Sequence, residues 1–170
     1  MAETGTLISI EEYLRTSTNP DCEYVDGVLE KRALGEYDHA TWQAMLTAFF
    51  IAHQEEWGIK ARPELRVRVA PNRFRVPDIT ILDRNLPIEQ IVTHPPLAVF
   101  EILSPEDTMM RTLVRLADYE AMGIGAIWVI DPSKQQYLLY RGGQLTPGTV
   151  FELPGSDFKV PLAEIAAMLD

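Results

Sequence analysis

Hydrophobic positions along the chain switch between two periods. From Asp38 to Trp57 the apolar residues Trp42, Met45, Leu46, Phe49 and Phe50 recur at three- and four-residue spacing, which predicts a long amphipathic helix ended by Gly58. ELRVRVA (64–70) alternates instead, with Leu65, Val67 and Val69 on one face and arginines on the other, the pattern of a strand wet on one side. VPDITIL (76–82) and LAVFEIL (97–103) are almost continuously apolar, as strands covered on both faces are.

The remaining elements follow from local signals. SIEEYLRT (9–16) has a serine cap with a glutamate three residues on, which predicts a short first helix. CEYVDGVLEKR (22–32) is a hairpin about Asp26-Gly27. SPEDTMMRTLVRLADYEAMG (104–123) is a second helix with Pro105 early, Met109, Leu113, Leu116 and Ala117 on one face, and Gly123 as its stop. AIWVID (126–131) and QYLLYR (136–141) form another hairpin, and LAEIAAML (162–169) a final short helix. A strand–helix–strand unit around the second helix implies a parallel crossover. The expected architecture is a mixed sheet with helices packed on it, an α/β class with additional β-hairpins. No repeat, low-complexity tract or linker divides it, so 1–170 is expected to be one domain.

Two acids break the apolar runs. Asp78 follows a proline at the mouth of one, and Glu101 sits between Phe100 and Ile102 inside the other. A turn role accounts for Asp78 alone. Glu101 needs a partner, because an unpaired charge in a covered strand is expensive. An arginine is one candidate and a metal shared with Asp78 is the other. Adjacent strands bring the two carboxylates together across 23 positions, and such an oxygen-lined pair suits Mg²⁺ or Mn²⁺. Such an ion polarises a phosphodiester oxygen and lowers the pKa of its bound water.

Charge narrows the partners. The net charge of −10 opposes broad attraction to a phosphate backbone. A local basic patch can still touch phosphates, and Arg62, Arg66, Arg68, Arg73 and Arg75 fall within fourteen residues. No apolar run is long enough to span a bilayer, and MAETGTLISI lacks the regions of a signal peptide, so no membrane association and a cytoplasmic location are expected. The single Cys22 excludes an intramolecular disulfide or a multi-cysteine metal site. No nucleophile elbow or phosphate-cradling glycine loop is present.

The ordered motifs resemble the Uma-two family of the PD-(D/E)XK restriction-endonuclease-like superfamily. EYVDGVLE (23–30), His39, VPDI (76–79), FEILSP (100–105) and YEAMGIGAIWVIDP (119–132) carry the resemblance, in register over roughly residues 9–141. It implies a restriction-endonuclease-like fold and metal-dependent DNA cleavage, with Asp78 and Glu101 holding Mg²⁺ or Mn²⁺. The superfamily's usual lysine, two residues after the glutamate, is Leu103 here. The position matching this family's helical lysine is Arg115, and Arg111 stands where the family often has an aspartate. Arginine keeps the charge but is a poor substitute for a compact ammonium beside a water, so weakened or lost cleavage is expected.

Glu23 is a candidate third carboxylate, or else a cross-strand partner for an arginine. His39 is a candidate catalytic group or a hydrogen-bonded structural one, while His53 and His94 match nothing in the pattern. The alternative function is a non-catalytic nuclease-fold protein acting in binding or assembly. A homodimer is expected, with Trp128, Tyr137 and Tyr140 either at its interface or in the core.

Overall fold

The computed structural model describes residues 6–18 and 21–169, so the first residues of the opening segment lie outside it. Chain order begins with α1 (Ile10–Arg15), β1 (Cys22–Val25), β2 (Val28–Lys31) and α2 (Tyr37–Ala52). Then come β3 (Ile59–Pro63), β4 (Val67–Ala70), β5 (Arg73–Arg75), β6 (Ile79–Asp83) and β7 (Ala98–Ile102). The rest is α3 (Met109–Met122), β8 (Ala126–Asp131), β9 (Gln136–Arg141), β10 (Gln144–Pro147), β11 (Val150–Glu152), β12 (Lys159–Pro161) and α4 (Leu162–Ala166).

Six strands form the main sheet in the order β10-β9-β8-β7-β6-β3. Only β7 and β8 run parallel, joined by α3 as the strand–helix–strand pattern implies. β7 and β8 are buried along their whole length, which explains their unbroken apolar sequence. Alternate residues feed two cores. Phe100, Ile102, Ile79 and Ile81 pack on the side of Trp42, Leu46 and Phe50 of α2. Val99, Ile127 and Val129 pack on the other side, with Leu116 and Tyr119 of α3. Trp128 and Tyr140 are buried in these cores and Tyr137 is packed against one, so these aromatics serve the core.

A second sheet, β2-β1-β5-β4, is antiparallel throughout. Its hairpin turns through Asp26 at φ +50 and Gly27 at φ +93, a pair of left-handed residues that Asp-Gly tolerates. β11 and β12 make a small separate ribbon, and α4 adds Leu162 and Ile165 to the α2-side core.

Several boundaries differ from the periodicity. α2 stops at Ala52, and 53–58 is a turn closed by Gly58 at φ +63. Trp57 keeps the helical phase because its ring stacks on His53, with centroids 4.4 Å apart. α3 starts at Met109, where the Thr108 side chain accepts from Arg111 N–H, while Ser104 and Asp107 bond each other in a turn before it. β6 begins at Ile79, leaving Asp78 just ahead of the strand. Among the described residues no helix is long and apolar enough to cross a membrane.

Candidate active site

Strand register decides which residues meet. β6 and β7 pair antiparallel, with Ile79 opposite Phe100 and Thr80 opposite Val99. Continuing that register by one position sets Asp78 against Glu101, both in phase with the α3 side of the sheet. The link is direct: Ile102 N–H donates to Asp78 Oδ2 at 2.7 Å. Gln43 of α2 donates to the Asp78 carbonyl at 3.0 Å, which fixes the backbone beneath the carboxylate.

Both acids are buried, and both are already hydrogen-bonded. Asp78 Oδ1 accepts from Arg32 Nη2 at 3.0 Å and lies 3.2 Å from His39 Nε2. Glu101 accepts from Tyr119 Oη on Oε1 and from Arg115 Nη1, 3.2 Å from Oε2. Burial, with Asp78 and Glu23 adding repulsion, pushes the Glu101 carboxyl up to about 8 despite the opposing Arg115 charge. Burial pulls the His39 imidazole down, but its bond to Asp78 and the Asp78 charge outweigh that and leave it raised.

Glu23 lies beside this pair but faces arginines. Its Oε2 accepts from Arg75 Nη1 at 2.9 Å and Arg115 Nε at 3.3 Å, and its Oε1 from Val76 N–H at 3.0 Å. Arg75 also reaches Glu30 at 2.8 Å and Asp118 at 2.7 Å. Among the described residues no three His, Cys, Asp or Glu side chains converge as metal ligands. The arrangement is two adjacent carboxylates flanked by an acid–arginine lattice.

A cavity of about 10 Å³ lies between Asp78 and Glu101, bounded also by Arg32, His39, Ser104, Asp107 and Arg115. That is the smallest space that holds a water-sized species. Ser104 Oγ, which is buried, has no hydrogen-bond partner among the described residues. The oxygens of Asp78, Glu101, Ser104 and Asp107 on this wall are hard donors of the kind a small divalent cation takes, and Arg32, His39 and Arg115 share the wall with them. Arg32 has a second anion available if it leaves Asp78, since its Nη1 lies 3.6 Å from Glu64 Oε1.

Arg32 is a site residue that periodicity leaves without a role, whereas helical spacing already sets Tyr119 on a strip that could line a site. Arg32 follows β2 in a segment with no hydrophobic phase, and the structure brings it 46 positions to Asp78. Tyr119 shares a helical strip with Arg111 and Arg115, but its partner becomes visible only in the packed fold. The Arg62–Arg75 cluster is neutralised in part: Arg62, Arg66 and Arg68 have no carboxylate within ion-pair distance among the described residues. Arg66 stacks over the Tyr13 ring at 4.5 Å and Arg68 over Phe74 at 5.5 Å, while Arg73 and Arg75 are held by acids. His53 packs on Phe49 and Trp57, and His94 lies 2.7 Å from Glu89; neither lines the cavity.

The six-stranded mixed sheet with helices on its faces defines an α/β fold. Residues 10–161 match the sequence profile of the Uma2 family, described as "Putative restriction endonuclease", and the chain belongs to that family. A "putative nuclease belonging to DUF820" from Anabaena variabilis ATCC 29413 has the same fold, with a TM-score of 0.79 and 22% identity over 94% of this chain and 98% of that one. A DrdV–DNA complex solved by cryo-EM overlaps 74% of this chain but 10% of its own, at 16% identity and a TM-score of 0.42, which is too slight to build on. A search of curated proteins finds no match.

Proposed function

We propose that this chain is a divalent-metal-dependent DNA nuclease of the PD-(D/E)XK type, with Asp78 and Glu101 as the metal ligands and cleavage weakened by Arg115. The observation that carries it is the adjoining of two buried carboxylates around one small polar cavity, in a chain of a restriction-endonuclease family. When bound there, Mg²⁺ or Mn²⁺ supplies polarisation of a phosphodiester oxygen and a water of lowered pKa. Ile102 N–H holds Asp78 in orientation, and Tyr119 does the same for Glu101. His39 borders the cavity, with Nε2 directed at Asp78 Oδ1, whose bond and charge favour the protonated imidazole. Arg115 supplies fixed positive charge for a phosphate but gives up no proton, because burial is outweighed by the Glu101 and Glu23 charges that hold it protonated. Glu23 and Arg75 are assigned to support, positioning Arg115 rather than touching the reacting atoms.

The test is calorimetric titration with Mn²⁺ and a plasmid-cleavage assay, each on wild type and Asp78→Ala. Metal binding and slow cleavage are expected in the wild type, and neither in the variant. A wild type that binds no metal removes the nuclease reading. The second reading, a nuclease-fold protein that binds without cutting, is favoured by one feature: each oxygen of Asp78 and Glu101 already accepts a hydrogen bond or lies beside a donor, two of the donors being arginines. Metal binding without cleavage under any ion favours that reading. A cytoplasmic homodimer completes the proposal; size-exclusion chromatography with light scattering tests the dimer.

A further inference from the structure

Beside the carboxylate cavity lies a groove of about 310 Å³ between the end of β2 and α3. Lys31, Arg32, Arg111 and Arg115 line it, against only Glu106 and Asp107 as acids. Four bases to two acids reverses the balance of the whole chain, which has 15 bases and 25 acids. Arg32, Asp107 and Arg115 wall both spaces, so the groove adjoins the cavity that Asp78 and Glu101 line.

The two outer cations are not committed elsewhere. Arg111 Nη2 donates only to the Lys31 carbonyl at 3.3 Å, which ties α3 to the hairpin and leaves the rest of the guanidinium facing outward. Neither Lys31 nor Arg111 has a carboxylate within ion-pair distance among the described residues, unlike Arg73 and Arg75. Two exposed cations without an ion pair, beside a groove in a chain of net charge −10, raise the local potential and draw a polyanion to that point.

We propose that this groove is the track for a nucleic-acid phosphodiester backbone, with Lys31 and Arg111 as positioning residues that contact phosphates and lead the strand to the carboxylate cavity. It rests on the nuclease reading of the same site and adds the side from which the substrate enters. Lys31 and Arg111 lie on different elements, so one strand crossing between them meets both.

The test uses the full chain in EDTA and fluorescence anisotropy with a fluorescein-labelled DNA duplex, its separated single strand and an RNA of the same sequence. Reversing both charges (Lys31→Glu with Arg111→Glu) should weaken binding about tenfold or more at low salt. The slope of log K against log[salt] for duplex should fall by about 0.9 for each lost contact. The neutral pair Lys31→Gln with Arg111→Gln should reproduce the slope change and stands in if the Glu pair melts early. Unchanged affinity and slope in variants that melt like wild type overturn the proposal, as does a wild type that binds no probe. Mn²⁺ calorimetry on the same protein separates the two readings. Lost metal binding with a changed slope overturns the nuclease and keeps the groove; intact metal binding with an unchanged slope does the reverse.

Discussion

Arg115 Nη1 lies 3.2 Å from Glu101 Oε2, so this cation is held by the very carboxylate it stands beside. Its Nε reaches Glu23 at 3.3 Å as well, making Arg115 a clip between the two sheets. A guanidinium held at Nε and Nη1 by two acids is fixed in place, and its delocalised charge is poorly shaped to orient a single water. A lysine ammonium has three donors on one atom and can leave one aimed at the cavity.

Arg115→Lys should therefore raise metal-dependent nicking of supercoiled plasmid by about tenfold, the factor that ~1.4 kcal/mol of transition-state stabilisation gives. Arg115→Met should lower it below wild type. The lysine variant should also melt earlier, because Glu23 loses one of its donors. Equal nicking by wild type and the lysine variant would mean that the arginine is not what limits the rate.

The Glu23–Arg75 pair makes a stability prediction independent of any activity. Arg75 is only 2% exposed and holds Glu23, Glu30 and Asp118 at once. Arg75→Met leaves Glu23 buried with weakened compensation and should cost about 3–5 kcal/mol in urea unfolding. Glu23→Gln leaves Arg75 its other two acids and should cost about 1–2 kcal/mol. Arg75→Met with Glu23→Met should lose less than the sum, since neither charge is then stranded.

That lattice also marks the limit of what the sequence discloses. Asp78 and Glu101 stand out because each interrupts an apolar run, and strand phase alone then sets them on one side of the sheet. β3 and β5 do not stand out. IKARP is half polar and ends in proline, while RFR is three residues long, so neither presents a period of its own. Their pairing depends on long-range partners, and with β5 goes the second sheet on which Glu23 and Arg75 meet across 52 positions. Arg32 is hidden for a related reason: a side chain beyond a hairpin carries no phase, and only the packing of the two sheets aims it at Asp78.

Gly148 supplies a packing prediction away from the site. A Cβ there would lie 2.7 Å from Trp128 Cη2 and 2.9 Å from Cζ3. Trp128 is buried beside Phe151, so the ring has little room to retreat. Gly148→Ala should cost about 1–3 kcal/mol by overpacking. It should shift the tryptophan emission while leaving Mn²⁺ titration unchanged, because Trp128 faces the α2-side core and Glu101 the opposite one.

The connection that delivers β7 contains a local acid clamp, and its pH dependence can be worked out. Glu89 accepts from Thr93 Oγ1 at 2.5 Å and Thr93 N–H at 2.8 Å, and it lies 2.7 Å from His94 Nδ1. The Thr93 bonds, with help from His94, lower its carboxyl to about 2 from an ordinary 4.5. The unfolded chain takes up that proton first as pH falls, so folding is favoured by Glu89 fully above about 4.5 and progressively less down to about 2. A ¹³C titration of the Glu89 carboxyl should show its midpoint near 2, and Thr93→Val should move it back toward 4.5. The variant's deficit relative to wild type should be constant above about 4.5 and shrink as pH falls through that window. At neutral pH it should show its full deficit, because the carboxylate is ionised there in both folded and unfolded chains and the Thr93 hydroxyl bond to it is lost outright.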